Sequence, residues 1–468
     1  MPIKRTAYTL VILLFTGLNS VFAQQTLTLK NALEMAVQNY GTIRAKSNYA
    51  GASQAGIKQA RREYLPNLNL GAQQVYGTVN GQNGPLYGFG GLGVASSGLP
   101  LPEQSWHAAF GALYLTNVNW DFFAFGRAKN RIEVAKSVAG RDSNDLKQEI
   151  FQHKVKTAAA YLNLLAAQRL AVSYQKNLNR VDTFRRTVAV RARNGLIAGV
   201  DSSQADAELS NARITLTQAR NAEQQRAKEL AVLLGAGDDD FVLDTLFVSQ
   251  IPAQLAADGQ SKVDEHHPLL DFYKSRIAVS DRQAKYYRSF SYPAFTFVGI
   301  FQGRASGFSN NYAQDQSAFS HDYWDGISPT RANYLVGIGL TWNITQPLRI
   351  SQQVKAQRLT SKGLEEEMLQ TDRQLKADLA YAEKNISNSL NNYREAPVQV
   401  EAASRAYLQR TVLYRNGLTN LVDVTQAAYA LIRAETDRDI AYNNVWQALL
   451  MKAASAGDFT LFDSKIND

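Results

Sequence analysis

Two stretches of this sequence alternate with a period of two. In residues 108–120 the even positions are Ala108, Phe110, Ala112, Tyr114, Thr116, Val118 and Trp120, while the odd ones include Gly111, Leu113, Leu115, Asn117 and Asn119. In residues 334–343 the even positions Tyr334, Val336, Ile338, Leu340 and Trp342 face Leu335, Gly337, Gly339, Thr341 and Asn343. One face is apolar and ends in Trp; the other mixes small and polar residues, which predicts strands. Companion strands are predicted at 67–78 and 293–303. Their length and alternation are those of outer-membrane barrel strands. An amphipathic sandwich in a soluble domain alternates in the same way, so both readings stand on this pattern alone.

Between the strands the chain reads as helix. Residues 28–63 lack proline and are rich in Ala, Gln, Lys and Arg, which predicts one helix that Pro66 stops. Residues 127–192 contain no proline and one glycine, so a single long helix is predicted there, followed by another over 201–234. At 1.5 Å per residue the long helix is about 100 Å and its two neighbours about 54 and 51 Å. The same order returns as a helix over 261–288, the second strand pair, a long helix over 349–414 and a last helix over 422–456. Helices of this length need side-by-side coiled-coil packing.

That order is a repeat. Arg193-Asn194-Gly195-Leu196, Val200-Asp201 and Gln204-Ala205 recur 222 residues later as Arg415-Asn416-Gly417-Leu418, Val422-Asp423 and Gln426-Ala427. Trp120 and Arg127 recur at that offset as Trp342 and Arg349, while Pro66 corresponds less strictly to Pro293. Identities at one constant offset mark a tandem duplication. The predicted organisation is a first repeat over 24–235, a linker over 236–260, a second repeat over 261–457 and a tail over 458–468.

The amino terminus sets the compartment. Lys4 and Arg5 precede an apolar run from 7 to 18, and Val21-Phe22-Ala23 offers a cleavage site, so residues 1–23 read as a secretory signal rather than a short membrane anchor. Composition agrees with an exported, water-compatible chain. It is 45% hydrophobic and 19% charged, with mean hydropathy −0.28 and no uncharged apolar run long enough for a spanning helix beyond the leader. The net charge of +9 raises nucleic acid as a partner, but export and the mixing of acids with bases along helices argue against it. The absence of cysteine removes disulfides, thiolate metal sites and a lipidated amino-terminal cysteine.

The strand ends are unlike one another. Residues 79–107 and 304–333 are long loops rich in Gly, Ser and Asn, whereas the opposite ends run straight into helices. Those junctions are aromatic and basic: Tyr64; Phe122 and Arg127; Tyr292; Trp342 and Arg349. A lipid headgroup boundary selects such residues, although ordinary helix–sheet packing uses them too. Four strands cannot close a barrel, and open edges are not tolerated in hydrocarbon, so a membrane-spanning version of this sheet must oligomerise.

Taken together, the leader, the tandem halves with two strands each, the very long helices and the paired Arg-Asn-Gly-Leu turns resemble the TolC-like outer-membrane efflux proteins, along essentially the whole mature chain. The resemblance implies a mainly α fold with a small transmembrane β part. It implies a homotrimer whose protomers each give four strands to a twelve-stranded β-barrel and long antiparallel helices to a periplasmic α-barrel. It places the protein in the outer membrane of a Gram-negative bacterium, in contact with its lipid. There it serves as the exit channel of a tripartite efflux or type I secretion system, with a membrane-fusion adaptor and an inner-membrane pump of RND, ABC or MFS type as partners. Arg193, Asn194, Gly195, Leu196, Arg415, Asn416, Gly417 and Leu418 then lie at the adaptor-contacting tip, and Asp423 matches an acid that lines the entrance. Gln426 stands where some relatives carry a second acid.

The tip residues have a local reading as well. Gly195 and Gly417 suit left-handed helix ends, and Asp201-x-x-Gln204 and Asp423-x-x-Gln426 have capping-box spacing, so Asp201 and Asp423 read as gate or as helix cap. No triad, phosphate-cradling loop or zinc spacing appears, and His266-His267 before Pro268 reads as a helix entry, so neither an enzyme nor a metal or cofactor site is expected. The alternative in a different class is a periplasmic adaptor or structural coiled-coil protein.

Overall fold

The computed structural model describes residues 26–81, 100–237, 240–245 and 262–464. The leader at 1–23, the glycine-rich run near Gly88 and most of the linker lie outside the described residues. In chain order the elements are α1 (Leu29–Asn39), α2 (Gly41–Arg62), β1 (Asn67–Thr78), β2 (Ala108–Phe123), α3 (Arg127–Arg193), α4 (Gly199–Leu234), α5 (Pro268–Arg288), β3 (Ala294–Ser306), α6 (Tyr323–Ile327), β4 (Arg331–Thr341), α7 (Gln346–Arg415), α8 (Leu421–Ala456) and α9 (Thr460–Asp463). The chain packs as two compact units, and each draws on both sequence repeats.

The helical unit holds residues up to 50, 142–274 and 365 onward. Its core is built from one face of each helix: Leu29 and Leu33 of α1, Tyr161, Leu162 and Leu165 of α3, Leu230 and Leu234 of α4, and Trp446, Leu449 and Leu450 of α8. The tail contributes too, because Phe462 of α9 is fully buried against Trp446. Tyr161 ties in the linker. Its hydroxyl donates to the carbonyl of Leu27 at 2.7 Å, and Leu27 itself pairs with the 242–244 segment.

The helix predicted over 28–63 is in fact two. Tyr40 takes an extended conformation (φ −68°, ψ 119°) and separates α1 from α2. Its ring stacks on His153 of α3 with centroids 3.8 Å apart, so a tertiary contact overrides local helix preference. The helix predicted from 261 begins at Pro268 instead, where proline's missing N–H costs nothing in the first turn. α7 carries Pro397 in its interior, which removes one hydrogen bond and costs about 3 kcal/mol that side-by-side packing must offset.

The sheet unit holds residues 51–141 and 275–364. Its four strands are antiparallel in the order β1-β2-β3-β4, with β1 and β4 at the edges. β1 occupies the range that alternation predicts. β2 runs three residues past its predicted end at 120, because an extra residue between Trp120 and Phe123 forms a bulge opposite β3. β3 and β4 both extend further toward their connecting loop than predicted.

Two buried histidines make the helical unit sensitive to pH. His153 packs on Tyr40 with Nε2 2.9 Å from the carbonyl of Leu233. His267 caps α5: Nδ1 accepts the N–H of Leu269 at 3.1 Å, which leaves Nε2–H facing the carbonyl of Ala454 at 3.2 Å. Burial pushes both imidazoles below their ordinary value. The unfolded chain therefore takes up protons first, so stability is fully present above pH ~6.5 and is lost as pH falls below it. Thermal melts at pH 7.5 and 5.5 will show a drop in the wild-type chain. His267→Asn, which keeps a capping acceptor, combined with His153→Gln, will shrink that drop.

Candidate functional site

The register assigns every strand residue to a face. Leu68, Leu70 and Tyr76 of β1 pair with Val118, Thr116 and Phe110 of β2. Trp120, Val118 and Thr116 pair in turn with Phe297, Gly299 and Phe301 of β3. These then pair with Ile338, Val336 and Tyr334 of β4. The even face read from β2 and β4 is thus one continuous apolar surface across all four strands. Asn67, Asn69, Gln73, Asn117, Asn119, Gln302 and Asn333 share the opposite face with glycines and a few aliphatics. Both edge strands are exposed along nearly their whole length, and Leu70, Tyr334 and Ile338 are 78%, 82% and 69% exposed.

The β3–β4 loop is ordered by its own aromatic cluster. Phe308, Tyr312 and Phe319 pack together, and His107 stacks on Phe319 at 4.7 Å. Asp322 caps α6, which rests on the apolar face with Ile327 against Ala112 and Ala305. Gly326 is needed there, since any Cβ would collide with Phe110. Gln74, the amide on that face, is satisfied by the hydroxyls of Tyr323 (2.8 Å) and Tyr114 (3.3 Å).

At the opposite end of the sheet, strands become helices through the predicted aromatic and basic residues. Trp120 donates its indole N–H to the carbonyl of Tyr64 at 2.8 Å, and Trp342 donates to Ser291 at 3.2 Å. Tyr64 and Ser291 each lie two residues before their repeat's proline, so the same bond is made twice. Tyr64 returns its hydroxyl to the carbonyl of Phe122 at 2.7 Å. Arg127 lies over the ring of Phe290 at 4.6 Å. Tyr292 stacks on Phe125, a bulky residue held at φ 47° just before Gly126 at φ 81°. Trp342, Tyr292 and Arg349 remain exposed.

The two Arg-Asn-Gly-Leu turns belong to the helical unit. Gly195 (φ 71°) and Gly417 (φ 75°) end α3 and α7 in the left-handed conformation. The N–H of Leu196 reaches the carbonyl of Arg191, and that of Leu418 the carbonyl of Leu413, both at 2.9 Å, as in a Schellman motif. Leu196, Val200 and Leu418 are 64%, 68% and 72% exposed. Arg193, Asn194, Arg415 and Asn416 are exposed beside them.

The capping-box reading moves by three residues. α4 begins at Gly199 with Ala198 as its cap and no side-chain bond, and α8 is capped by Asn420, whose Oδ1 accepts the N–H of Asp423 at 2.9 Å. Asp201 and Asp423 are the third residues of their helices, where a carboxylate favours the helix dipole. Asp423 accepts a hydrogen bond from the Thr419 hydroxyl and lies 3.5 Å from Arg410, and Gln426 is exposed a turn further on. The sequence reading missed Arg191. It donates to the carbonyls of Tyr414 (2.7 Å) and Arg415 (2.9 Å), tying the end of α3 to the end of α7. Burial, and then the carboxylate of Asp201, hold the Tyr414 phenol above its ordinary value.

Residues 32–236 match the model of the outer membrane efflux protein family. A comparison with curated proteins finds no match. Among solved structures, the outer membrane protein VceC from Vibrio cholerae is 16% identical with a TM-score of 0.71, over 92% of this chain and 96% of that one. CusC is 11% identical with a TM-score of 0.73, over 92% of both chains. The CmeC outer membrane channel of Campylobacter jejuni is 15% identical with a TM-score of 0.71, over 92% of this chain and 85% of that one. At these identities the likeness is one of fold, and the fold is the TolC type: mainly helical, with one four-stranded antiparallel sheet.

Trp120→Phe keeps an aromatic ring but deletes the indole N–H and its hydrogen bond, which is expected to cost about 1 kcal/mol, with some lost ring packing in addition. Thermal unfolding of Trp120→Phe and Trp342→Phe will show a lowered transition for each. Trp106→Phe, at an 81%-exposed position beyond the other end of β2, will leave it unchanged.

Proposed function

We propose that this TolC-like outer-membrane efflux protein is the passive exit channel of a tripartite export system. It works as a homotrimer with a periplasmic adaptor and an inner-membrane pump. The observation that carries this reading is the sheet: one continuous apolar face, an opposite face that mixes amides and glycines with aliphatics, and two exposed edge strands. The apolar face meets outer-membrane lipid. Each edge strand pairs with the edge of a neighbouring copy, and three copies give twelve strands. The family match and the fold of the solved channels support the assignment.

The remaining candidate residues take roles from this placement. Tyr64, Trp120, Phe122, Arg127, Tyr292, Trp342 and Arg349 form the belt at the inner headgroup boundary, where rings that present an apolar body and a polar edge are favoured. The residues of the two Arg-Asn-Gly-Leu turns present the apolar tip to the adaptor. Asp423 lines the periplasmic aperture, braced by Thr419 and Arg410. The pump supplies the energy, because the chain has no nucleotide-cradling loop.

Fractionation tests the assignment. The chain is expected in the outer membrane as a trimer whose electrophoretic mobility changes on heating; a soluble or inner-membrane monomer would instead support the adaptor or coiled-coil alternative. Asp423→Ala is expected to raise single-channel conductance and lower cation selectivity in planar bilayers. Unchanged conductance and selectivity would leave Asp423 as a brace of the tip and end the gate reading.

A further inference from the structure

The helical unit contains a cavity of about 170 Å³ a few turns from the two Arg-Asn-Gly-Leu motifs, lined by residues of α3, α4, α7 and α8. Its origin lies in the helix faces. On α8, Leu421, Val424, Ala428 and Tyr429 recur at helical spacing, and on α4 Ala205, Glu208 and Ala212 do the same. Alanine at 205, 212 and 428 is too short to fill the space between the two helices, which close packing would otherwise occupy. Ala205, Ala212, Leu421 and Val424 form a buried apolar floor.

The walls are aromatic and the mouth is acidic. Tyr174 and Phe184 of α3, Tyr407 of α7 and Tyr429 of α8 supply four rings. Glu208, half-buried, accepts the hydroxyl of Tyr429 at 2.5 Å, which uses one of the roughly four acceptor positions of a carboxylate. Tyr429 is 48% exposed, so this pair stands where the cavity opens to solvent. Arg185 is the one basic residue in the described lining, and its guanidinium is engaged by Asp206 at 2.6 Å. The charge left facing the cavity is therefore negative.

We propose that this cavity is a binding site for a small aromatic ammonium ion, a molecule with one ring and a substituted amine. An apolar cavity of about 150 Å³ holds benzene, so a single ring matches the space. The ring lies on the apolar floor, and the cationic head lies among the tyrosine faces beside Glu208, where cation–π and ionic attraction act together. Because four helices line the cavity, a bound ligand joins α3 and α4 to α7 and α8, and by binding the folded chain alone it raises thermal stability. The site stands on helix packing and does not depend on the exit-channel reading.

The test is calorimetric titration of the purified full-length protein with benzyltrimethylammonium. Saturable binding at one site per chain is expected, with benzyl alcohol, which has the ring but no charge, at least tenfold weaker. Glu208→Gln keeps an acceptor for Tyr429 and removes the charge, and it is expected to weaken binding of the ammonium at least fivefold. Ala212→Phe and, from the facing helix, Ala428→Leu fill the cavity and should each abolish binding; thermal unfolding without ligand confirms that the variants fold. No saturable binding to the wild-type protein, equal affinity for Glu208→Gln, or undiminished binding to both filled variants overturns the site. Benzyl alcohol bound as tightly as the ammonium overturns the choice of a cation. The exit-channel reading is decided separately, by fractionation.

Discussion

Backbone hydrogen bonding in a medium without water is the constraint on which the proposed channel depends. Each N–H or C=O left bare in hydrocarbon costs several kcal/mol, so a lipid-spanning sheet must have no edges. This chain has a sheet whose apolar face spans all four strands and whose outer strands have no partner among the described residues. A soluble sandwich would cover the apolar face with a second sheet, and the described residues contain one sheet only. In the proposed trimer, lipid on that face and a neighbouring copy on each edge would meet both demands together.

The helix-end junctions are built alike in both repeats. Each strand gives way to a helix within a few residues, and each repeat makes that change with a tryptophan hydrogen-bonded to the carbonyl two residues before its proline. The β2 bulge and the left-handed Phe125–Gly126 step turn the chain between Trp120 and α3. A bulky residue at positive φ is costly, and Phe125 is held there by its stack on Tyr292 and its packing against Phe123. Far along the sequence, Arg191 closes the end of α3 onto the end of α7, so the two Arg-Asn-Gly-Leu turns are bonded together at their bases.

Much of this was legible in the sequence, for reasons that differ by element. Strand alternation is a property of the pleat, so the range of β1 and the apolar face of β2 and β4 followed from residue order. Left-handed glycines at 195 and 417 followed because few other residues accept that conformation. The break at Tyr40 did not, since it depends on a ring 113 positions later in the chain. Asp423-x-x-Gln426 imitates a capping box three residues past the true cap of α8, where Asn420 makes the bond. Arg191 sits two residues before a conspicuous motif, and only the fold brings α7 within its reach. The ordered loop around α6 was hidden for a similar reason: its aromatic residues cluster with His107, from a different loop.

The absence of native cysteine makes pairing of β1 with β4 of a neighbouring copy directly measurable. Within one protomer β1 and β4 are separated by β2 and β3, about 14 Å at the usual strand spacing, too far for a disulfide. Cysteines scanned along β1, each combined with a cysteine in β4 and oxidised in intact outer membranes, therefore report on contacts between copies. Register-dependent cross-linking that ends at a covalent trimer is expected. Chains that remain monomeric at every pair of positions would contradict that pairing.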